Sequence, residues 1–257
     1  MIRWTFGLLF VCISCSAAPE EAAGTSENYG ARVSELSNKD FDVTFSGCDE
    51  FAGIGFVPAV NARPLVPASY DLAGDSTNAI LVVRVARCSN SVVDGKPLGE
   101  TITSQIGISV TGRDLTASIN NYTLFYATNQ AQLHARYAAQ GLKTDESGTL
   151  TLGLTRGLLR ATSSSSKTPA FTVTGSAAVP SGPAVQFIAS WWANGTHGVV
   201  RSRTVFPAIR FGNSSVTLTT PAGSDLARLA GSTQIRFALL DSYNTFGNAQ
   251  LEVRAMQ

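Results

Sequence analysis

A mainly β fold, an antiparallel β-barrel or sandwich carrying one or two short helices, is what this 257-residue sequence predicts. Short runs that alternate apolar and polar residues recur along most of the chain, with turn residues between them. Charged residues make up 14%, against about 25% in ordinary soluble domains, and Gly, Ser and Thr fill the difference. Only two segments carry a helical period bounded by caps.

The elements follow in order. Residues 41–45 (Phe-Asp-Val-Thr-Phe) alternate cleanly and open the first strand. Residues 79–86 are almost continuously apolar, the pattern of a strand buried on both faces, with Arg84 as the exception. Asp94-Gly95 supplies a tight turn. Further strands are predicted at 102–110, 118–128, 149–154, 170–176, 185–192, 199–211, 215–219, 234–240 and 249–254. A helix is predicted over 130–140, with Asn129 as N-cap, Leu133 and Tyr137 four residues apart on one face, and Gly141 at C′. A shorter one spans 225–230, capped by Ser224, with Asp225 suited to the helix dipole and Gly231 ending it. Residues 163–167 (Ser-Ser-Ser-Ser-Lys) read as a solvated loop.

Ahead of these elements, one basic residue, Arg3, precedes an apolar run over 4–13 and then the small-residue cluster 14–18, the layout of a secretory signal. The run is too short to span a bilayer, which needs roughly 20 apolar residues. Cleavage after Ala17 leaves a flexible polar tether over 18–40 and a single β-rich domain over 41–257. A second reading stays open: Ile13-Ser14-Cys15 resembles a lipobox, with Cys12 where Leu is usual, and would make Cys15 a lipidated N-terminus. Either way the protein is expected to be secreted or placed in the periplasm or cell envelope. Loss of Arg3 takes the formal charge from +1 to 0, so nucleic acid is excluded as a partner and a membrane is met only through a lipid on Cys15. In an oxidising compartment Cys48 and Cys88, each ending an apolar run, are expected to form a disulfide.

Catalytic motifs are scarce. No Gly-x-Ser-x-Gly elbow occurs, and with only His134 and His197 present, no metal site or cofactor is expected. His134 reads as a surface or packing residue of its helix, whereas His197 lies in a turn directly after Trp191-Trp192 and could rim a pocket. Successive strand residues alternate, so Trp191 and Trp192 put one indole on each face, one in the core and the other on a cavity or a second packed layer. Arg201 and Arg203 share a strand face; facing inward they would meet a carboxylate, facing outward they are solvated. Glycosylation sequons at Asn121, Asn194 and Asn213 matter only in a eukaryotic source. Arg84, Trp191, Trp192, His197, Arg201 and Arg203 are the residues expected to contact a ligand.

Several phrases resemble the acetoacetate decarboxylase-like family: Arg63-Pro64-Leu65-Val66-Pro67 before Tyr70, the strand 80–86, Tyr122-Thr123-Leu124-Phe125-Tyr126-Ala127-Thr128 leading into a helix, and Gly223-Ser224-Asp225-Leu226-Ala227. The resemblance covers most of 41–254 and implies a barrel-centred fold. Enzymes of that family form a Schiff base through a lysine beside a second lysine. Here Lys39, Lys96, Lys143 and Lys167 are the only lysines, none adjacent to another, so the resemblance implies the fold without that chemistry. The expected function is non-catalytic binding of a small apolar or amphipathic molecule inside the barrel. The alternatives are a lyase, cyclase or hydratase of the same fold acting on a hydrophobic acid, and a structural envelope module.

Overall fold

The computed structural model describes residues 40–147 and 149–256; the leader, Cys15 and the tether up to residue 39 lie outside them. In chain order the elements are β1 (Phe41–Pro58), α1 (Ala59–Ala62), a 3₁₀ turn (Arg63–Leu65), β2 (Asn78–Val93), β3 (Lys96–Ser109), β4 (Ile119–Thr128), α2 (Ala131–Ala139) and β5 (Thr144–Glu146). Then come β6 (Thr151–Thr155), β7 (Leu158–Ser163), β8 (Phe171–Ala177), β9 (Val185–Gly195), β10 (Gly198–Phe211), β11 (Ser214–Thr219), α3 (Asp225–Ala230), β12 (Gln234–Ile235) and β13 (Leu240–Met256).

Seven strands in the order β3-β2-β1-β13-β10-β9-β4 close on themselves through a β3–β4 pairing, and β5 pairs with the end of β4 that lies beyond β9. The pairings are antiparallel except β4–β9 and β4–β5, which are parallel, so the barrel is mixed. A second sheet, β12-β11-β8-β7-β6, packs against the outside of the barrel wall. The largest apolar cluster fills that interface: Phe51, Leu81, Val83, Val85, Ile106 and Ile108 from the wall meet Leu152, Leu159, Val173 and Leu218 from the sheet. At roughly 1.5–3 kcal/mol per large side chain removed from water, this layer is the main source of stability. The expected double burial of residues 79–86 follows, since Leu81, Val83 and Val85 face the second sheet while Val82, Arg84 and Ala86 face the barrel interior.

β1 runs far past the predicted residues 41–45 and continues through Gly47. At φ +60° Gly47 pairs with neither neighbouring strand, while the register on both sides of it is unchanged. The inward face therefore passes from Phe45 to Cys48, Glu50 and Ala52, and the alternation read from the sequence breaks there. Cys48 and Cys88 stand opposite each other in the β1–β2 register, with Cα atoms 4.1 Å apart, and form the expected disulfide. Asp94-Gly95 makes the β2–β3 turn with both residues at positive φ.

The two predicted helices are present. Ser224 caps α3, its hydroxyl accepting from the Ala227 N–H at 3.0 Å, and Gly231 ends it at φ +67°. α2 starts one residue later than predicted and has no side-chain cap, because the Asn129 amide oxygen accepts from the Ile102 N–H at 2.7 Å. α2 seats Leu133 and Tyr137 against Phe41, Val43 and Leu251, which plugs one end of the barrel.

Candidate functional site

The inward faces of the seven strands build a lined interior around one ion pair. Arg84 Nε and Nη2 both donate to Glu50 Oε2, at 2.9 and 2.5 Å, from positions diagonal to each other across β1 and β2. Glu50 is 6% exposed, and its other oxygen accepts from Asn244 Nδ2 at 3.4 Å. Asn244 is held in turn by the Ser242 hydroxyl. Among the described residues Arg84 Nη1 has no hydrogen-bond partner. Phe206 lies beneath the guanidinium, 6.0 Å from Cζ to the ring centre, and meets Phe246 edge to face.

Two small cavities share Arg84, Trp191 and Phe206 as walls. The outer chamber, about 50 Å³, has Glu50, Asn121 and Asn244 at its polar side and Ile54, Ile119, Phe187, Phe211 and Leu240 around the rest. The inner chamber, about 20 Å³, is water-sized and lies toward the plugged end, among Thr101, Thr103, Gln105, Ser202, Thr204, Tyr126 and Tyr137. Burial raises the Tyr137 hydroxyl to about 12, although hydrogen bonds from Ser202 and Tyr126 and the nearby Arg84 charge work the other way. Burial likewise pushes Tyr126 well above the ordinary phenol range. Both hydroxyls therefore stay protonated at any physiological pH. Trp191 fits because β3 carries Gly107 opposite it: a Cβ there would sit 2.7 Å from the indole and 2.3 Å from the Tyr122 carbonyl oxygen.

Of the six residues expected to meet a ligand, the interior gathers Arg84 and Trp191. Trp192 points to the other face as alternation requires, is buried in the large outer cluster, and donates Nε1–H to Asn120 at 3.0 Å. Arg201 and Arg203 lie on that outward face, since Ser202 and Thr204 face in. Arg203 approaches Asp114 at 3.5 Å. Burial works to raise the Asp114 carboxyl, but hydrogen bonds from Thr116 and Ser190, with Arg203 nearby, hold it down at about 2. Arg201 pairs in register with Trp192 and Arg254, and its Nε is buried without a partner. His197 is exposed on the β9–β10 turn, away from the chambers.

Glu50, Asn121, Asn244, Tyr126 and Tyr137 went unnoticed as site residues. The available signal was parity from Cys48 for Glu50; Asn121 stood out only as a sequon. Lys96, Lys143 and Lys167 are all exposed, so no described lysine reaches the interior. Two larger depressions, about 470 and 230 Å³, lie elsewhere: one among Thr149, Thr162 and Thr219, the other among Leu65, Tyr122 and Leu142. Among the described residues neither is lined by an unpartnered buried polar atom. Among the described residues no cluster of His, Cys, Asp or Glu could hold a metal ion.

No family model matches the sequence, and no curated protein matches it. Solved structures do match. An acetoacetate decarboxylase superposes with TM-score 0.58 at 12% identity, covering 83% of this chain and 88% of that one. The acetoacetate decarboxylase of Legionella pneumophila gives 0.55 at 12% identity over 83% and 85%. An acetoacetate decarboxylase-like enzyme from Sphingomonas wittichii gives 0.51 at 12% over 84% and 91%. At such identities the likeness is one of fold, and the fold of this chain is that of acetoacetate decarboxylase.

Proposed function

We propose that the protein binds a small apolar or amphipathic molecule in the barrel interior, with Arg84 and Trp191 among its contacts, and does so without catalysis. The observation that carries this reading is a chamber with an apolar wall that narrows onto a buried, hydrogen-bonded Arg84–Glu50 pair. Export, as a secreted or envelope protein, belongs to the same proposal and is supported by the Cys48–Cys88 disulfide. The decisive experiment is native mass spectrometry of protein purified from its own host, followed by organic extraction. A reproducible co-purifying molecule, absent from Trp191→Ala, supports the reading; a molecule retained at the wild-type level by that variant would place the site elsewhere.

A second reading, catalysis on a hydrophobic acid in the same interior, is favoured by the fold shared with decarboxylases. It would proceed without a Schiff base at any described lysine. Turnover of the co-purifying molecule, lost in Glu50→Gln, would decide for it.

A further inference from the structure

Two residues that line the outer chamber each carry a nitrogen donor with no hydrogen-bond partner among the described residues. Asn121 Nδ2 and Trp191 Nε1 are buried, in residues 0% and 3% exposed, and neither has a partner among the described residues. The two residues are direct neighbours in the parallel β4–β9 register, and both line the chamber. The Asn121 amide oxygen accepts from the Ser109 hydroxyl at 2.8 Å, which leaves Nδ2 as the free side of the amide. A buried N–H is costly to keep unpaired, and two adjacent ones on one cavity wall form a site for an oxygen acceptor.

Charge decides which acceptor. Among the described residues Glu50 and Arg84 are the only ionisable ones lining the chamber, and they already neutralise each other. A carboxylate would bring an unbalanced negative charge into a largely apolar cavity. A hydroxyl would bring a proton needing its own acceptor. A carbonyl oxygen is neutral and has two lone pairs for the two donors.

Size decides where the remainder of the molecule goes. About 50 Å³ holds only a few heavy atoms, and the wall continues as Ile54, Phe187, Phe211 and Leu240, with Phe211 37% exposed. Phe56, two residues beyond Ile54 on the same face of β1, is 47% exposed.

Resting on the reading that the interior binds an amphipathic molecule, we infer that its ligand is an uncharged carbonyl amphiphile. The carbonyl oxygen accepts from Asn121 Nδ2 and Trp191 Nε1, and the apolar tail lies along the mouth. Isothermal calorimetry at pH 7.5 with 2-octanone, octanoate and octane tests this. The ketone should bind at least tenfold more tightly than octanoate. Trp191→Phe and Asn121→Leu should each weaken the ketone about tenfold and leave octane unchanged. Tighter binding of octanoate, or a ketone affinity untouched by both substitutions, overturns the inference. Octane binding as well as the ketone overturns it but leaves the binding reading standing, while no binding by any probe sinks both.

Discussion

Arg84 is a charge in the middle of an apolar strand, and its meaning depends on one partner. Its side chain is 16% exposed and that of Glu50 7%, so little water reaches either to replace the other. Removing one alone leaves the other stranded, which costs about 3–5 kcal/mol for buried pairs. Arg84→Met should therefore lower the unfolding free energy in urea by about that amount, and Arg84→Met with Glu50→Leu should recover most of the loss. Strictly additive losses in the two single variants would refute the coupling. The sequence announced Arg84 by its isolation among Ala79 to Ala86 but hid Glu50, because the strand changes parity at Gly47. Asn121 was hidden differently: its strand was legible, but which face turned inward depended on a β3–β4 pairing that skips Leu124 opposite Ile106 and Gly107.

At the level of elements, the two helices show when local signals suffice. For α3 the cap, the acidic first turn and the terminal glycine are all realised, and the Ser224 hydroxyl keeps its capping bond while also sharing a hydrogen bond with the Thr220 hydroxyl at 2.8 Å. Ser224→Ala should cost about 1 kcal/mol, read as a lowered thermal midpoint. A loss below about 0.3 kcal/mol would mean that packing of Leu226 and Leu229 alone holds the segment. For α2 the expected cap Asn129 is drawn to the β3 backbone, a tertiary contact that no local pattern reveals. The strands the sequence did not show, β5 and β7, are a three-residue edge and a six-residue strand whose outer side mixes Leu158 with Arg160 and Thr162. Neither carries enough alternation to stand out from a loop.

Across the whole molecule, strand content and the barrel were legible because alternation survives in most of the wall. The mixed closure was not, since the parallel β4–β9 seam joins segments separated by the entire β5–β8 excursion. The disulfide staples the β1–β2 pair across 40 residues of sequence, a loop worth about 3–4 kcal/mol of stability on the chain-entropy account. Its sulfurs are nearly buried, so dithiothreitol should leave the folded protein oxidised and act only once urea opens it. The refolded, reduced form should then unfold at a clearly lower urea midpoint. Prompt reduction of the native state would contradict a closed interior. The pairing of β1 with β13 has a consequence in time as well as in space. One edge of β1 stays unpaired until residues 240–256 have been synthesised, so the barrel cannot close before that strand is available. Closure of the wall is thus set by a pairing of long sequence range and not by the local hairpins.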